Sequence, residues 1–275
     1  MTTNIANSIA RIQGTQLKKV VMLFSKLKLN TAEAVLSVKQ GSLSITSIYG
    51  ETGLRLTLPS DSIGKDDCKI DLQNLKDILS GVKGIIEIAT NGSVIINTES
   101  GEITLPFTPG KLSLPSVKQE TASISSENLQ KALRKVLPFS AASESKRNLF
   151  GVLMETQDSG LRLVASDGFR LGYADTTAVV MKEESIMIPL YFAKLLQGIL
   201  KLVPEGEVSV RADKTAVKFQ GDYFEMVFPR PDFDFPDYRR ILPSGFKAEL
   251  EVNREELLET VNRSLGADKV RLTRE

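Results

Sequence analysis

The sequence predicts an α+β chain in which one unit is used twice in tandem, each copy setting two helices against antiparallel strands. Three observations lead there. The chain repeats itself: Leu112-Ser-Leu114-Pro115 returns as Phe233-Asp-Phe235-Pro236, displaced by 121 residues, and Phe107 and Phe228 keep that displacement. Upstream, Leu72 to Lys76 matches Leu190 to Lys194 at a displacement of 118, while Ile86-Glu-Ile88 and Val208-Ser-Val210 fall within one residue of the first spacing. Finally, the apolar period switches between helical and strand-like values in the same order in both copies. A period near 120 residues is too long for a solenoid, so the unit reads as a duplicated domain. A third copy begins, because Arg254-Glu255-Glu256-Leu257 resembles the helix openings at Ser126 to Leu129 and Thr15 to Leu17. The expected domains are 1–122, 123–245 and the start of a third at 246–275. That last segment is too short to bury a core of its own, so the sequence is expected to be a piece of a longer protein or to dock on something else.

In the first unit Leu17, Val20, Val21 and Phe24 recur at i, i+3, i+4 and i+7, the apolar stripe of a helix over 15–28. Alternating runs follow at 34–38, 43–45 and 54–58 and read as strands. Leu72, Leu75, Ile78, Leu79 and Val82 predict a second helix over 72–83, with Gly81 and Gly84 suited to its end. Strands at 85–90, 93–98 and 102–107 complete the unit, and Asn91-Gly92 is a hairpin turn signal. The second unit replays the order. Its first helix carries Leu129, Ala132, Leu133 and Val136 and stops at Pro138, which lacks the donor a helix needs. Strands are expected at 151–156, 161–165 and 169–173, a helix from Pro189 to Lys201, then strands at 208–212, 216–220 and 223–228. Proline-bearing extended linkers lie near 108–122 and 229–245. Tandem repetition sets the helices side by side and lets the sheets join edge to edge, forming an arc.

Composition narrows the chemistry. The chain has 275 residues, 41% hydrophobic and 25% charged, with one cysteine and no histidine. Cys68 alone excludes an internal disulfide and suits a reducing cytoplasm; it reads as a small buried filler. Without histidine the commonest general base and metal ligand are missing, and Cys/His zinc sites are excluded. No P-loop, dinucleotide fingerprint or nucleophile elbow is present, and no apolar run is long enough to span a membrane. Binding is favoured over catalysis, and no cofactor or metal is expected.

Charge is segregated although the net is only +1. The four helical segments carry Lys18, Lys19, Lys26, Lys28, Lys76, Lys83, Lys131, Arg134, Lys135, Lys194 and Lys201 against Asp77 and Glu127, leaving the remainder acidic. Basic residues sit away from the apolar stripes, as a phosphate-backbone binder requires. No helix-turn-helix or RNA-binding signature accompanies them, so any DNA binding is by shape and charge rather than base sequence.

Longer strings add a family. Val136-Leu-Pro-Phe-Ser-Ala-Ala, Arg147-Asn-Leu-Phe-Gly-Val-Leu-Met-Glu155, Leu163-Val-Ala-Ser-Asp-Gly-Phe-Arg-Leu171 and Phe235-Pro-Asp-Tyr-Arg-Arg-Ile-Leu-Pro243 resemble the bacterial DNA polymerase III beta subunit family, the replicative sliding clamps. Ile188-Pro-Leu-Tyr-Phe-Ala-Lys-Leu-Leu and Glu251-Val-Asn-Arg-Glu-Glu-Leu-Leu fit the same family. The resemblance is strong over 126–275 and rests on element order over 1–120. It implies the DNA clamp fold: three similar domains per subunit, and a homodimer of full-length chains closed head to tail around duplex DNA. The 275 residues are then truncated early in the third domain. It also implies a cytoplasmic processivity factor, a non-catalytic subunit of the polymerase III holoenzyme. The DNA-facing residues become Lys18, Lys19, Lys26, Lys76, Lys131, Arg134, Lys135, Lys146, Arg147, Lys194 and Lys201.

Partners of that family, the replicative polymerase and clamp loader among them, insert a short peptide into an apolar groove between the second and third domains. The matching positions are Leu149, Ser166, Gly168, Phe169, Arg170, Leu171, Pro236, Arg240 and Ile241. Their chemistry suits the role: Leu149, Leu171, Pro236 and Ile241 can wall a pocket for apolar anchors, and Arg170 and Arg240 can bond peptide carbonyls at its rim. Three other readings remain at this level: a two-domain clamp closing as a trimer, a peptide-binding scaffold that never encircles DNA, and a carboxylate-dependent hydrolase.

Overall fold

The computed structural model describes residues 8–26, 33–90, 93–245 and 251–264. The chain divides into two compact units, Met1–Pro236 and Asp237–Glu275. In the first, one element order occurs twice. The first repeat runs β1 Ser8–Gln13, α1 Gly14–Lys26, β2 Glu33–Lys39, β3 Ser42–Tyr49, β4 Thr52–Pro59, β5 Asp61–Ile63, β6 Asp66–Ile70, α2 Leu72–Ile78, β7 Ile85–Thr90, β8 Ser93–Thr98 and β9 Gly101–Pro106. The second runs β10 Glu120–Ser125, α3 Ser126–Val136, β11 Gly151–Gln157, β12 Gly160–Ser166, β13 Leu171–Thr177, β14 Val179–Val180, β15 Ser185–Pro189, α4 Leu190–Leu200, β16 Glu207–Ala212, β17 Ala216–Gly221 and β18 Phe224–Pro229. Each element of one repeat has its counterpart in the other.

The strands form three antiparallel sheets, ordered β5-β1-β7-β8-β9, β14-β10-β16-β17-β18-β4-β3-β2-β6 and β13-β12-β11-β15. The nine-stranded sheet is shared by the repeats. Its seam is the β18–β4 pair, with Phe224 opposite Leu56, Glu225 opposite Arg55 and Met226 opposite Leu54. Across the seam Arg55 Nη1 donates to one oxygen of Glu225 at 2.8 Å, and Lys218 Nζ from neighbouring β17 donates to the other at 2.6 Å. Burial pushes the Glu225 carboxyl up, but Lys218 and Arg55 outweigh it and hold it below its ordinary value.

The helices bury the stripes the sequence marks. Leu17, Val21 and Phe24 on α1 and Leu129, Leu133 and Val136 on α3 are all at most 1% exposed, each such side chain contributing roughly 1.5–3 kcal/mol. Phe192 on α4 stacks on Phe228 at 4.3 Å, and Phe228 on Phe219 at 6.2 Å, tying the helix to the shared sheet. Caps fix the helix starts: Asp71 accepts the N–H groups of Gln73 and Asn74, and Ser125 that of Asn128. The helices pack as one row in the order α2–α1–α4–α3, with Gly198 of α4 close to Leu23 of α1.

Four expectations change. The helix expected over 72–83 ends at Ile78, and Lys83 lies outside it; Ser80 and Gly81 are poor helix formers, and the Ser80 carbonyl instead accepts from Lys18 Nζ at 2.6 Å. The strand expected over 169–173 starts two residues later, at Leu171, because 167–170 form a turn. β1 and β10 were not anticipated: their inward residues include Ser8, Ala10, Thr121 and Ala122, small or hydroxyl-bearing groups that give little apolar signal. Ser8 is buried against Thr90 at 2.7 Å and Asp66 at 3.2 Å. The short strands β5, β6, β14 and β15 were missed as well. Lys28 and the Asn91-Gly92 turn lie outside the described residues.

The second unit contains a 3-10 turn at Tyr238–Ile241 and α5 at Arg254–Arg263, capped by Asn253 on Glu255 and Glu256. Among the described residues no helix is long and apolar enough to cross a membrane.

Candidate peptide groove and basic helix face

The turn joining β12 to β13 is built around one carboxylate. Asp167 accepts the N–H groups of Phe169 and Arg170 at 2.9 and 2.8 Å through one oxygen, and Arg170 Nε and Nη2 at 3.1 and 2.9 Å through the other. The Arg170 and Phe169 amides, then the guanidinium, hold this carboxyl well below the ordinary carboxylate range. Ser166 closes the turn, donating to the Arg170 carbonyl at 2.8 Å and accepting from the Gly168 N–H at 3.1 Å. Gly168 has φ +92, a conformation side chains resist.

Around this turn the structure gathers six of the nine expected groove positions. Leu149 ends a 3-10 turn, Arg147–Leu149, and its side chain lies beside Gly168. Leu149 and Leu171 are half-buried, Ser166 is buried, and Phe169 is 91% exposed. A solvent-facing aromatic ring over half-buried leucines is a surface suited to apolar anchors. Pro236 is the exposed last residue of the first unit. Arg240 and Ile241 belong to the second, where Arg240 Nε donates to Asp237 at 3.0 Å and Ile241 is 69% exposed.

Two of the expected site residues have partners at this turn. Arg170 is engaged within the turn: besides Asp167, its guanidinium reaches the Pro138 carbonyl at 3.4 Å and lies 5.7 Å from the Phe139 ring. Lys146, expected on the DNA side, donates to the Asp167 carbonyl at 2.8 Å and stands 5.1 Å from the centre of the Phe169 ring. Asp167 and Phe139 went unrecognised as supports. The Asp-Gly pair signalled the turn, but the guanidinium held between Asp167 and Phe139 joins segments far apart in sequence.

The remaining basic positions lie on the helix row. Lys19, Lys131, Arg134, Lys135, Lys194 and Lys201 are exposed, opposite the buried stripes. Tyr191 and Lys194 are exposed on α4, and Lys201 is exposed just past its C-terminal end. Lys131 is paired with Glu127 at 2.6 Å, and Lys18 is held by Ser80. Lys76 is half-buried, and Lys26 lies at the end of α1. Arg147 is exposed at the mouth of a cavity of about 430 Å³, beside Tyr191 at the start of α4. Cys68 is buried, which pushes its thiol up to about 11. Among the described residues no group of acidic, cysteine or histidine side chains is arranged to hold a metal ion.

Residues 123–237 match the model of the DNA polymerase III beta subunit, central domain. Over 247 residues the chain is 26% identical to the beta sliding clamp of Pseudomonas putida, covering 84% of this chain and 65% of the relative. The Vibrio cholerae beta sliding clamp gives 26% over 245 residues with the same coverage. The chain thus spans 65% of the length of these curated relatives. Among solved structures it resembles the beta subunit of DNA polymerase III from Thermotoga maritima, with TM-score 0.76, 26% identity, and coverage of 94% of this chain and 74% of that one. It shares the fold of the Helicobacter pylori beta clamp bound to DNA ligase peptide, with TM-score 0.74, 19% identity, and coverage of 94% and 76%. The chain is thus similar to the central domain of the DNA polymerase III beta subunit over residues 123–237 and to beta sliding clamps over 84% of its length.

Proposed function

We propose that this chain forms part of a DNA sliding clamp, a processivity factor that encircles duplex DNA and tethers the replicative polymerase. The observation that carries the proposal is the helix row: four helices from two repeats pack side by side, and α1, α3 and α4 expose lysine or arginine opposite their buried stripes. Such a face holds phosphates without reading bases. A closed ring need not grip DNA tightly, because escape requires opening, so weak salt-screened contacts assist sliding. The proposed domains are 1–122, 123–245 and the start of a third at 246–275. The full-length protein is a head-to-tail homodimer acting in the cytoplasm, with no catalysis of its own.

Polymerase and clamp loader would dock by short peptides on the surface around Leu149, Phe169 and Leu171. The peptide-bound Helicobacter pylori clamp supports this mode of binding. The proposal is tested with the full-length protein loaded on a nicked circular plasmid and passed through gel filtration. Co-elution with the circle and loss after linearisation are expected. Equal retention on both forms, or peptide binding with no retention on circles, reduces the protein to a DNA-binding or peptide-binding scaffold.

A further inference from the structure

The cavity of about 430 Å³ beside the start of α4 shares no residue with the candidate peptide groove. Its walls are largely aromatic: Phe150 and Phe233 are half-buried, Tyr191 is 48% exposed, and its neighbour Phe192 is buried and stacked on Phe228. The loop before β11 serves both places. Lys146 and Leu149 reach the platform turn, whereas Glu144, Arg147 and Phe150 line the cavity. An apolar wall with a few charged groups at this volume suits a small-molecule-sized ligand.

Four charged residues line the cavity, and one is already committed. Arg230 donates to Glu184 at 2.7 Å and to the Asp213 and Ser185 carbonyls at 3.0 and 2.8 Å. The side chains of Glu144, Arg147 and Asp232 are exposed and have no ion pair or hydrogen bond among the described residues. Burial, then the Glu144 carboxylate, push the Tyr191 hydroxyl up, so that carboxylate stands near the ring. A ligand that satisfies all three free groups needs an anion for the guanidinium, donors for the carboxylates and a flat body for the aromatic wall. A simple organic cation leaves Arg147 opposed, and a simple anion leaves both carboxylates opposed. A nucleotide whose base bears an exocyclic amine meets every demand. Thymine does not, because it presents the O4 acceptor where cytosine presents the N4 donor.

We propose that the cavity is a subsite for one unpaired, amine-bearing nucleotide: the base stacks on Tyr191, Glu144 and Asp232 accept from its amine edge, and Arg147 holds its phosphate. A base inside a duplex is excluded, because its faces are stacked and its amine is paired. Lys194, three residues on from Tyr191, is exposed on the helix row, so a single strand leaving the cavity runs onto the basic face, the combination of stacking group and cationic track that holds single strands. A free nucleotide carries the same chemistry. The subsite rests on the reading of the helix row as the DNA-facing surface, and adds to it a base preference that phosphate contacts lack.

The test is fluorescence anisotropy at low salt with the 275-residue chain, using labelled oligodeoxycytidylate, oligothymidylate and a mixed-sequence duplex. Oligodeoxycytidylate should bind at least about fivefold more tightly than oligothymidylate, the lower end of one base discrimination. Tyr191→Ala should weaken oligodeoxycytidylate by about fivefold or more, the lower end of one base stack, and leave duplex affinity within about twofold. Glu144→Ala with Asp232→Ala should erase the cytosine preference without moving the melting curve. Competition by dCMP separates the two sources: displacement near the oligonucleotide's own concentration range assigns the subsite to free nucleotides, and no displacement assigns it to strands. Equal affinity for the two oligonucleotides overturns the inference. So does a normally melting Tyr191→Ala that binds oligodeoxycytidylate like the parent, or that weakens strand and duplex alike. A parent that keeps the cytosine preference but fails to bind duplex retains the subsite and removes the DNA-facing reading of the helix row instead.

Discussion

The same hairpin appears in both repeats with different ends. In the first, β3 and β4 are joined by Gly50-Glu51 alone, with Gly50 at φ +57. In the second, the counterpart strands β12 and β13 are joined by four residues, Asp167 to Arg170, around which Ser166, Lys146 and Phe139 are organised. Two residues of extra length turn a bare connection into a pinned platform with Phe169 held out to solvent. The scaffold is duplicated and the candidate binding surface is not: the difference between the repeats lies in a loop on a repeated frame of packing.

The contrast is broken most severely at Leu171, where the platform meets β13. Leu171→Asp should weaken a clamp-binding peptide by about 30-fold or more, the loss of roughly 2 kcal/mol expected of an interface anchor, by fluorescence anisotropy. The same change at Thr52, which opens the counterpart strand β4, should leave peptide affinity unaltered. Next in size is Gly172, where a Cβ would run into the Phe139 ring. Gly172→Val should cost about 1–3 kcal/mol of stability by overpacking, read from denaturant midpoints.

Much of this frame was legible in the sequence because buried helix stripes are written in large apolar residues. Leu17, Val20, Val21 and Phe24 could face only a core, and the Leu72/Leu190 correspondence located both second helices. What stayed hidden was carried by small or polar groups. Ser8, Ala10, Thr121 and Ala122 fill inward strand positions without raising local hydrophobicity, so β1 and β10 were invisible. The groove positions came from resemblance; the residue types alone favour an ordinary turn at Ser166-Asp-Gly and a packed linker at Phe235-Pro-Asp-Tyr. Lys146 entered as a DNA-facing position through the resemblance, and its bond to the Asp167 carbonyl was hidden because it depends on a turn about twenty residues away.

Smaller effects sharpen the division between platform and helix face. Changing Lys131, Arg134 and Lys135 together to alanine should lower the salt slope of DNA binding by roughly 2 rather than 3, taking about 0.9 per phosphate contact, because Lys131 is already paired with Glu127. Peptide affinity should not move. At the platform, Asp167→Ala should speed amide exchange at Phe169 and Arg170. The Asp167 carboxyl is held below its ordinary value, so its contribution is complete above the unfolded-state carboxylate pKa, near 4. That contribution is lost as pH falls through the depressed value. Exchange at these two amides should therefore stay protected through mildly acid pH and fail only in strong acid, whereas a loss already complete at pH 5 would contradict the geometry.

The account rests on the helix row facing DNA, and site-specific photocrosslinking addresses it most directly. A photoreactive group at Lys194 on α4 is compared with one at Asp222, in the turn between β17 and β18, using duplex DNA of mixed sequence at low salt. The account predicts crosslinks from position 194 that fall with added salt and none above background from position 222. Equal crosslinking from both positions, or stronger crosslinking from 222, would contradict it.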